Sequence, residues 1–115
     1  MAQTIRSRKS KGYRLQKYIV EKIRFTFGLS IRDVVSVPGS VSGADVRLSD
    51  KASKIFPYSV EAKNVEKLSI WAALKQAESE NRKLTPLLVF KRNRSEVYCA
   101  LKFEDFLRIL KNGSK

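Results

Sequence analysis

The chain has 115 residues, 43% of them hydrophobic, with 24 Lys and Arg against 11 Asp and Glu, a formal net charge of +13. That size suits one domain burying roughly two-thirds of its unfolded surface, and the charge exceeds what solubility requires, so a polyanionic partner is expected. With no histidine and Cys99 as the single cysteine, a His-based triad, a zinc site and an internal disulfide are excluded, so any catalysis falls to carboxylates, amines, hydroxyls or a hard cation. No apolar run approaches the ~18 residues of a spanning helix and no signal-peptide core is present, which predicts a cytosolic protein with no membrane partner.

Arg6, Arg8, Lys9, Lys11, Arg14 and Lys17 all precede the first acid, Glu21. Residues 1–11 read as a basic arm, either lying along phosphates or simply solvated. A single domain is expected over 12–111 and a short tail over 112–115. Leu15, Tyr18, Ile19, Ile23 and Phe27 recur at helical spacing before Gly28, predicting a core helix over 12–27. Residues 32–37 (RDVVSV) read as a strand and 38–43 (PGSVSG) as a turn or loop. In 44–49, Ala44, Val46 and Leu48 alternate with Asp45, Arg47 and Ser49, the pattern of a second strand.

A connector, DKASKIFP, leads to a third strand over 58–63. There Tyr58, Val60 and Ala62 share one face and Ser59, Glu61 and Lys63 the other. Ser69 is a candidate N-cap for a helix over 69–82 whose inward stripe is Ile70, Ala73, Leu74 and Ala77, with charge on its other face. PLLVFK (86–91) is a continuous apolar run, as expected of a central strand covered on both faces. EVYCAL (96–101) is a further strand and FEDFLRIL (103–110) a closing helix. The expected architecture is α/β, in the order α-β-β-β-α-β-β-α.

The candidate chemistry is Asp45 with Glu61 and Lys63. Seven Glu and fourteen Lys make a Glu-x-Lys triplet expected about once by chance. An exposed Glu-Lys pair on a solvated strand, worth about 0–1 kcal/mol, is the competing reading. Context adds weight to a site without displacing the ion-pair reading: two carboxylates on adjacent strands suit one hard cation such as Mg²⁺, and a neighbouring lysine can orient or deprotonate water or stabilise developing charge.

SGAD (42–45) and VEAKN (60–64), with KGYRLQK (11–17) and VPGS (37–40) before them, resemble the PD-(D/E)XK nuclease superfamily, and within it the archaeal-type and phage Holliday junction resolvases. The similarity runs from about Lys11 to Leu110. It implies a restriction-endonuclease-like core, a central mixed sheet flanked by helices, acting as a metal-dependent, structure-selective DNA endonuclease. Asp45 and Glu61 would be metal-ligating carboxylates, with the Ala62 carbonyl a further ligand, and Lys63 the catalytic lysine. The metal would be Mg²⁺, with Mn²⁺ as a substitute.

Ser40, with Ser42 as the alternative, would place the scissile phosphate, and Gln76 would stand near the site. The family's first-helix glutamate is Gln16 here. The helical wheel turns Gln16 inward and Glu21 to solvent, so the acidic cluster loses one charge. Arg6, Arg8, Lys9, Lys11, Arg14, Lys91, Arg92 and Arg94 would contact phosphates. The implied partners are a four-way or branched DNA and a second copy in a homodimer, with Trp71 either a core or an interface anchor; a phage protein would work in the host cytoplasm. The alternatives are a less selective nuclease of this superfamily and a non-catalytic protein that binds branched DNA.

Overall fold

The computed structural model describes residues 5–37, 44–80 and 83–113. Its elements in chain order are α1 (Ile5–Phe27), β1 (Val34–Ser36), β2 (Val46–Leu48), α2 (Asp50–Ile55), β3 (Tyr58–Asn64), α3 (Ile70–Glu80), β4 (Thr85–Lys91), β5 (Tyr98–Ala100) and α4 (Phe103–Gly113). Two local features depart from the sequence reading. Helix α1 starts at Ile5, so the stretch read as a basic arm is largely helical; Arg and Lys are good helix formers, and no proline interrupts them. The stretch read as a connector contains α2. Ser49 caps it by accepting from the Ala52 amide at 3.0 Å, Asp50 lies in the first turn, and Ala52 is fully buried. The order is therefore α-β-β-α-β-α-β-β-α.

The strands form two ladders. β1 and β2 pair antiparallel, with Val34 opposite Leu48. β3 and β4 pair in parallel from Tyr58 opposite Thr85 to Asn64 opposite Lys91, with α3 as the crossover between them, and β5 adds antiparallel to β4. The apolar run of β4 thus occupies the centre of a mixed three-stranded sheet, where Leu88 is fully buried. One backbone hydrogen bond, from the Asp45 amide to the Val60 carbonyl at 2.9 Å, bridges the two ladders.

Leu15, Ile19, Val20 and Ile23 of α1 pack with Val34, Val46, Val60 and Val89 in one core. Tyr18 and Phe27, expected in that stripe, are 45% and 42% exposed; they lie at its margins, and Val20 takes the inward place. Phe27 instead rests on Phe56, which packs edge-on against Tyr58. Ile70 likewise lies at the edge of α3, whose buried residues are Ala73 and Ala77.

Polar clamps hold the periphery. The Arg24 guanidinium donates from Nε to the Val34 carbonyl at 2.9 Å and from Nη2 to that of Ile31 at 3.0 Å, fixing α1 to the start of β1. Asp33 accepts from the Ser49 hydroxyl and from the amide and hydroxyl of Ser30, contacts that hold its carboxyl below the usual range. Among the described residues no helix is long and apolar enough to cross a membrane.

Candidate active site

Alternation along β3 puts Ser59, Glu61 and Lys63 on one side of the strand. Helix α3 packs on β3 and β4, so this polar row lies beneath protein: Ser59 is 1% and Glu61 3% exposed. An exposed ion pair is therefore not what the structure contains. Lys63 Nζ stands 3.4 Å from Glu61 Oε2, with the lysine side chain 30% exposed and the glutamate only 4%. The pair runs from the interior out to solvent, with the ammonium as its accessible end.

Asp45 is fixed beside it at three points. Its amide donates to the Val60 carbonyl, its carbonyl accepts from the Val37 amide at 3.0 Å, and its Oδ2 accepts from the Ala62 amide at 2.6 Å. The last bond places the carboxylate next to the residue between Glu61 and Lys63. Ala62 thus enters the site through its amide. The four residues expected at the centre, Asp45, Glu61, Ala62 and Lys63, are brought together.

The electrostatics follow from crowding acids under a helix. Burial raises the Glu61 pKa, the Asp45 carboxylate raises it further, Lys63 opposes the rise and Glu80 adds to it, leaving the group at about 7. Burial also raises Asp45, against the Ala62 amide and Lys63, which favour its charged form; Glu80 again pushes upward. Glu80 is the residue the sequence reading passed over. It ends α3 as the third member of the spacing Ala73, Ala77, Glu80, at i, i+4 and i+7, and the buried alanines show that this stripe faces inward. That spacing was the available signal; counting Glu80 with the helix's charged face hid it.

Three oxygens here are buried without a hydrogen-bond partner: Ser59 Oγ, Glu61 Oε1 and Glu80 Oε2. Unpaired buried carboxylate oxygens are costly, and an all-oxygen set of this kind suits a hard cation. Among the described residues no three acidic or other metal-ligating side chains converge as a finished ligand set. The donor set that fits a cation is the pair Asp45 and Glu61, with positions left for water or phosphate oxygens.

Gln16 is inward-facing as expected, 9% exposed, but among the described residues it makes no hydrogen bond to Asp45, Glu61 or Lys63. Gln76 is exposed on α3, where its backbone carbonyl accepts from the Ser79 hydroxyl. Ser40 and Ser42 lie outside the described residues, as do the side chains of Arg6 and Arg8. Trp71 is 81% exposed and contributes nothing to the core.

The residue after Lys63, Asn64, turns to the other side of β3, where α1 packs, and lines a basic groove there. Lys11, Arg14, Lys91 and Arg94 line a cleft of about 380 Å³ together with Asn64 and Tyr18. Asn64 follows Lys63 on β3, sits opposite Lys91 in the ladder, and contacts the Lys11 carbonyl through Nδ2 at 3.4 Å. Lys11 is nearly buried, 3.9 Å from Glu66, so it is a fixed charge of the groove wall and not part of a loose arm. Arg94 is held at φ 63° in the turn between β4 and β5, a conformation that any residue with a Cβ resists. Arg92 instead borders a neighbouring cleft with Glu66, Phe90 and Tyr98, and Lys9 is exposed on α1. Comparison of the chain with protein-family models, with curated proteins and with solved structures found no match in any of the three.

Proposed function

We propose that this chain is a metal-dependent DNA endonuclease of the PD-(D/E)XK kind that resolves four-way junctions. The observation that carries the reading is a half-buried Asp45, held on the Ala62 amide, beside the buried Glu61, with the Lys63 ammonium 3.4 Å from Glu61 at the solvent edge. An ordinary fold has little reason to crowd two carboxylates with raised pKa values against a single lysine. The basic groove lies on the α1 side of β3, across the strand from Lys63, and supports a phosphate backbone that passes the end of the strand to reach the site.

Asp45 and Glu61, with the Ala62 carbonyl, would hold Mg²⁺ or Mn²⁺, which supplies Lewis-acid polarisation of a phosphoryl oxygen when bound. The protein's own groups divide the remaining work. Lys63 donates hydrogen bonds toward the phosphoryl oxygens, where negative charge grows as water adds to phosphorus and the bridging oxygen departs. Lys63, at the accessible end of the pair, also orients the attacking water, whose proton passes to solvent at the open edge of the site, because a Glu61 carboxylate that holds the cation is not free to take it. Lys91, Arg94 and Arg14 hold the flanking backbone and set orientation without reading base edges.

A second reading has one observation in its favour. Gln16 stands where the resemblance expects an acid, and among the described residues no third carboxylate closes on the pair, so a protein that binds branched DNA without cutting it is the competitor. Incubation with Mg²⁺ and either a synthetic four-way junction or the matching linear duplex decides. Paired symmetric nicks in the junction alone support the resolvase, cleavage of both substrates indicates a less selective nuclease, and binding without cleavage in Mg²⁺ or Mn²⁺ overturns the catalytic reading.

A further inference from the structure

Residues opposite one another in a sheet point to the same side. Lys63 of β3 stands opposite Phe90 of β4, and Phe90 opposite Tyr98 of β5, so the three form one row on the face that carries Glu61, about 10 Å from end to end at the usual strand spacing. The far end of that row opens into a cleft of about 490 Å³. Phe90 and Tyr98 line it with ring centroids 6.2 Å apart, and Tyr98 is 57% exposed. Leu68 and Ile70, where the chain enters α3, add apolar wall. Glu66 supplies a carboxylate whose Oε2 accepts from the Asn93 amide at 2.6 Å. Lys91 and Ser95 line both this cleft and the basic groove, so the two adjoin at the end of β4.

We infer that the cleft takes one unpaired base of the strand whose backbone lies in the groove, stacked on Tyr98 and read at its edge by Glu66. The inference rests on the nucleic-acid reading above and adds a recognition element to it. Three features select this occupant. An exposed ring among apolar side chains gives a base a stacking surface that a phosphate cannot use, and the volume admits a purine. The Glu66 carboxylate repels phosphate but accepts N–H groups, and the Asn93 amide holds it in place. Guanine, with its N1–H and N2–H₂ donors side by side, matches a carboxylate best, whereas thymine offers one N–H between two carbonyl oxygens. Lys91 and Arg92 at the cleft complement the phosphates that flank such a base. Because Tyr98 shares the row of Lys63, the base belongs within a few nucleotides of the phosphate at the site. A fully paired duplex keeps its bases stacked, so the cleft favours DNA with an unpaired base near the cut.

Fluorescence anisotropy with the full chain in Ca²⁺ at low salt compares a duplex carrying one bulged guanine, the same duplex with a bulged thymine, and the fully paired duplex. The wild type should bind the bulged guanine about tenfold more tightly than the paired duplex, and more tightly than the bulged thymine. Tyr98→Ala should erase the preference for bulged over paired DNA. Glu66→Gln, whose amide oxygen still accepts from the Asn93 N–H, should keep that preference and lose the difference between guanine and thymine. Ratios within each variant cancel any general change in the groove. Equal binding of all three duplexes by the wild type, or a bulge preference that survives Tyr98→Ala, overturns the inference while leaving DNA binding intact; a guanine preference that survives Glu66→Gln overturns the edge contact. Binding of none of the duplexes overturns the nucleic-acid reading and this inference with it. Guanosine monophosphate at the concentration of the duplex lacks the flanking backbone and should not displace it; displacement would assign the cleft to a soluble nucleotide and overturn the strand-base assignment.

Discussion

Lys63 Nζ meets one oxygen of the Glu61 carboxylate at 3.4 Å, while the other oxygen, Oε1, is buried with no partner. The lysine therefore satisfies half of the group. Burial first, and then Asp45, hold the folded-state pKa at about 7, against an ordinary 4.5. A carboxyl whose pKa is raised on folding favours the folded state below the unfolded value, and that contribution is lost as pH climbs from 4.5 to 7. The metal-free protein should thus lose up to about 3 kcal/mol across this window from Glu61 alone. Urea unfolding at pH 5 and pH 8 measures it, and Glu61→Gln should flatten the difference. Equal pH dependence in the two proteins would mean that Glu61 titrates normally. Mg²⁺ should restore stability to the wild type mainly at pH 8, where the carboxylates are free to receive it.

The nuclease reading predicts that Asp45→Asn, Glu61→Gln and Lys63→Ala each lower cleavage by at least about a hundredfold while junction binding persists. The folds should hold, because an asparagine oxygen still accepts from the Ala62 amide and a glutamine fills the space of Glu61. Binding is followed by gel shift in Ca²⁺ and cleavage in Mg²⁺. Wild-type cleavage rates in all three variants would remove the proposed site.

Much of this centre was legible because strand alternation is a two-residue rule that tertiary packing rarely breaks: Glu61 and Lys63 had to share a face. The apolar run of β4 gave its central place by the opposite sign: a strand covered on both faces has no polar side to alternate with. What sequence periodicity could not supply was which layer covers which face. Glu61 looked like half of a potential surface pair until α3 was seen to lie over it, and Glu80 looked like surface charge for lack of the same fact. Helix α4 shows the limit from the other side: its amphipathic pattern was plain, but the pattern does not say whether the apolar arc points at its own sheet or away from it.

Glu80 and Gln16 compete for the part of the missing acid, and their variants should behave differently. Glu80 raises the pKa of both Asp45 and Glu61 and carries a buried, unpaired oxygen, so Glu80→Gln should stabilise the metal-free protein at pH 8 and raise the Mg²⁺ concentration needed for a given thermal shift by roughly tenfold, since cation affinity follows ligand charge. Gln16→Glu should lower that concentration if position 16 reaches the cation. An unchanged titration for Gln16→Glu together with a shifted one for Glu80→Gln would move the third acid from α1 to α3. The reverse pattern would return it to the first helix.

The basic groove predicts a graded response to salt. If the groove carries a phosphate backbone, Arg14→Ala, Lys91→Ala and Arg94→Gly would each remove one phosphate contact, and each should reduce the slope of log binding constant against log salt concentration by about 1. Arg94→Gly is the informative choice for its position: glycine adopts the positive φ without strain, so the charge is removed while the turn is kept. Lys11→Met should differ in kind. Its ammonium is buried beside Glu66, and removing it leaves that carboxylate without this partner at the groove wall, so stability should fall along with binding. Fluorescence anisotropy with a labelled junction across a salt series, alongside urea unfolding of each variant, separates the two effects. If Lys91→Ala and Arg94→Gly leave both the slope and the affinity unchanged, the groove does not carry the nucleic acid, and the path of the DNA must lie on another face.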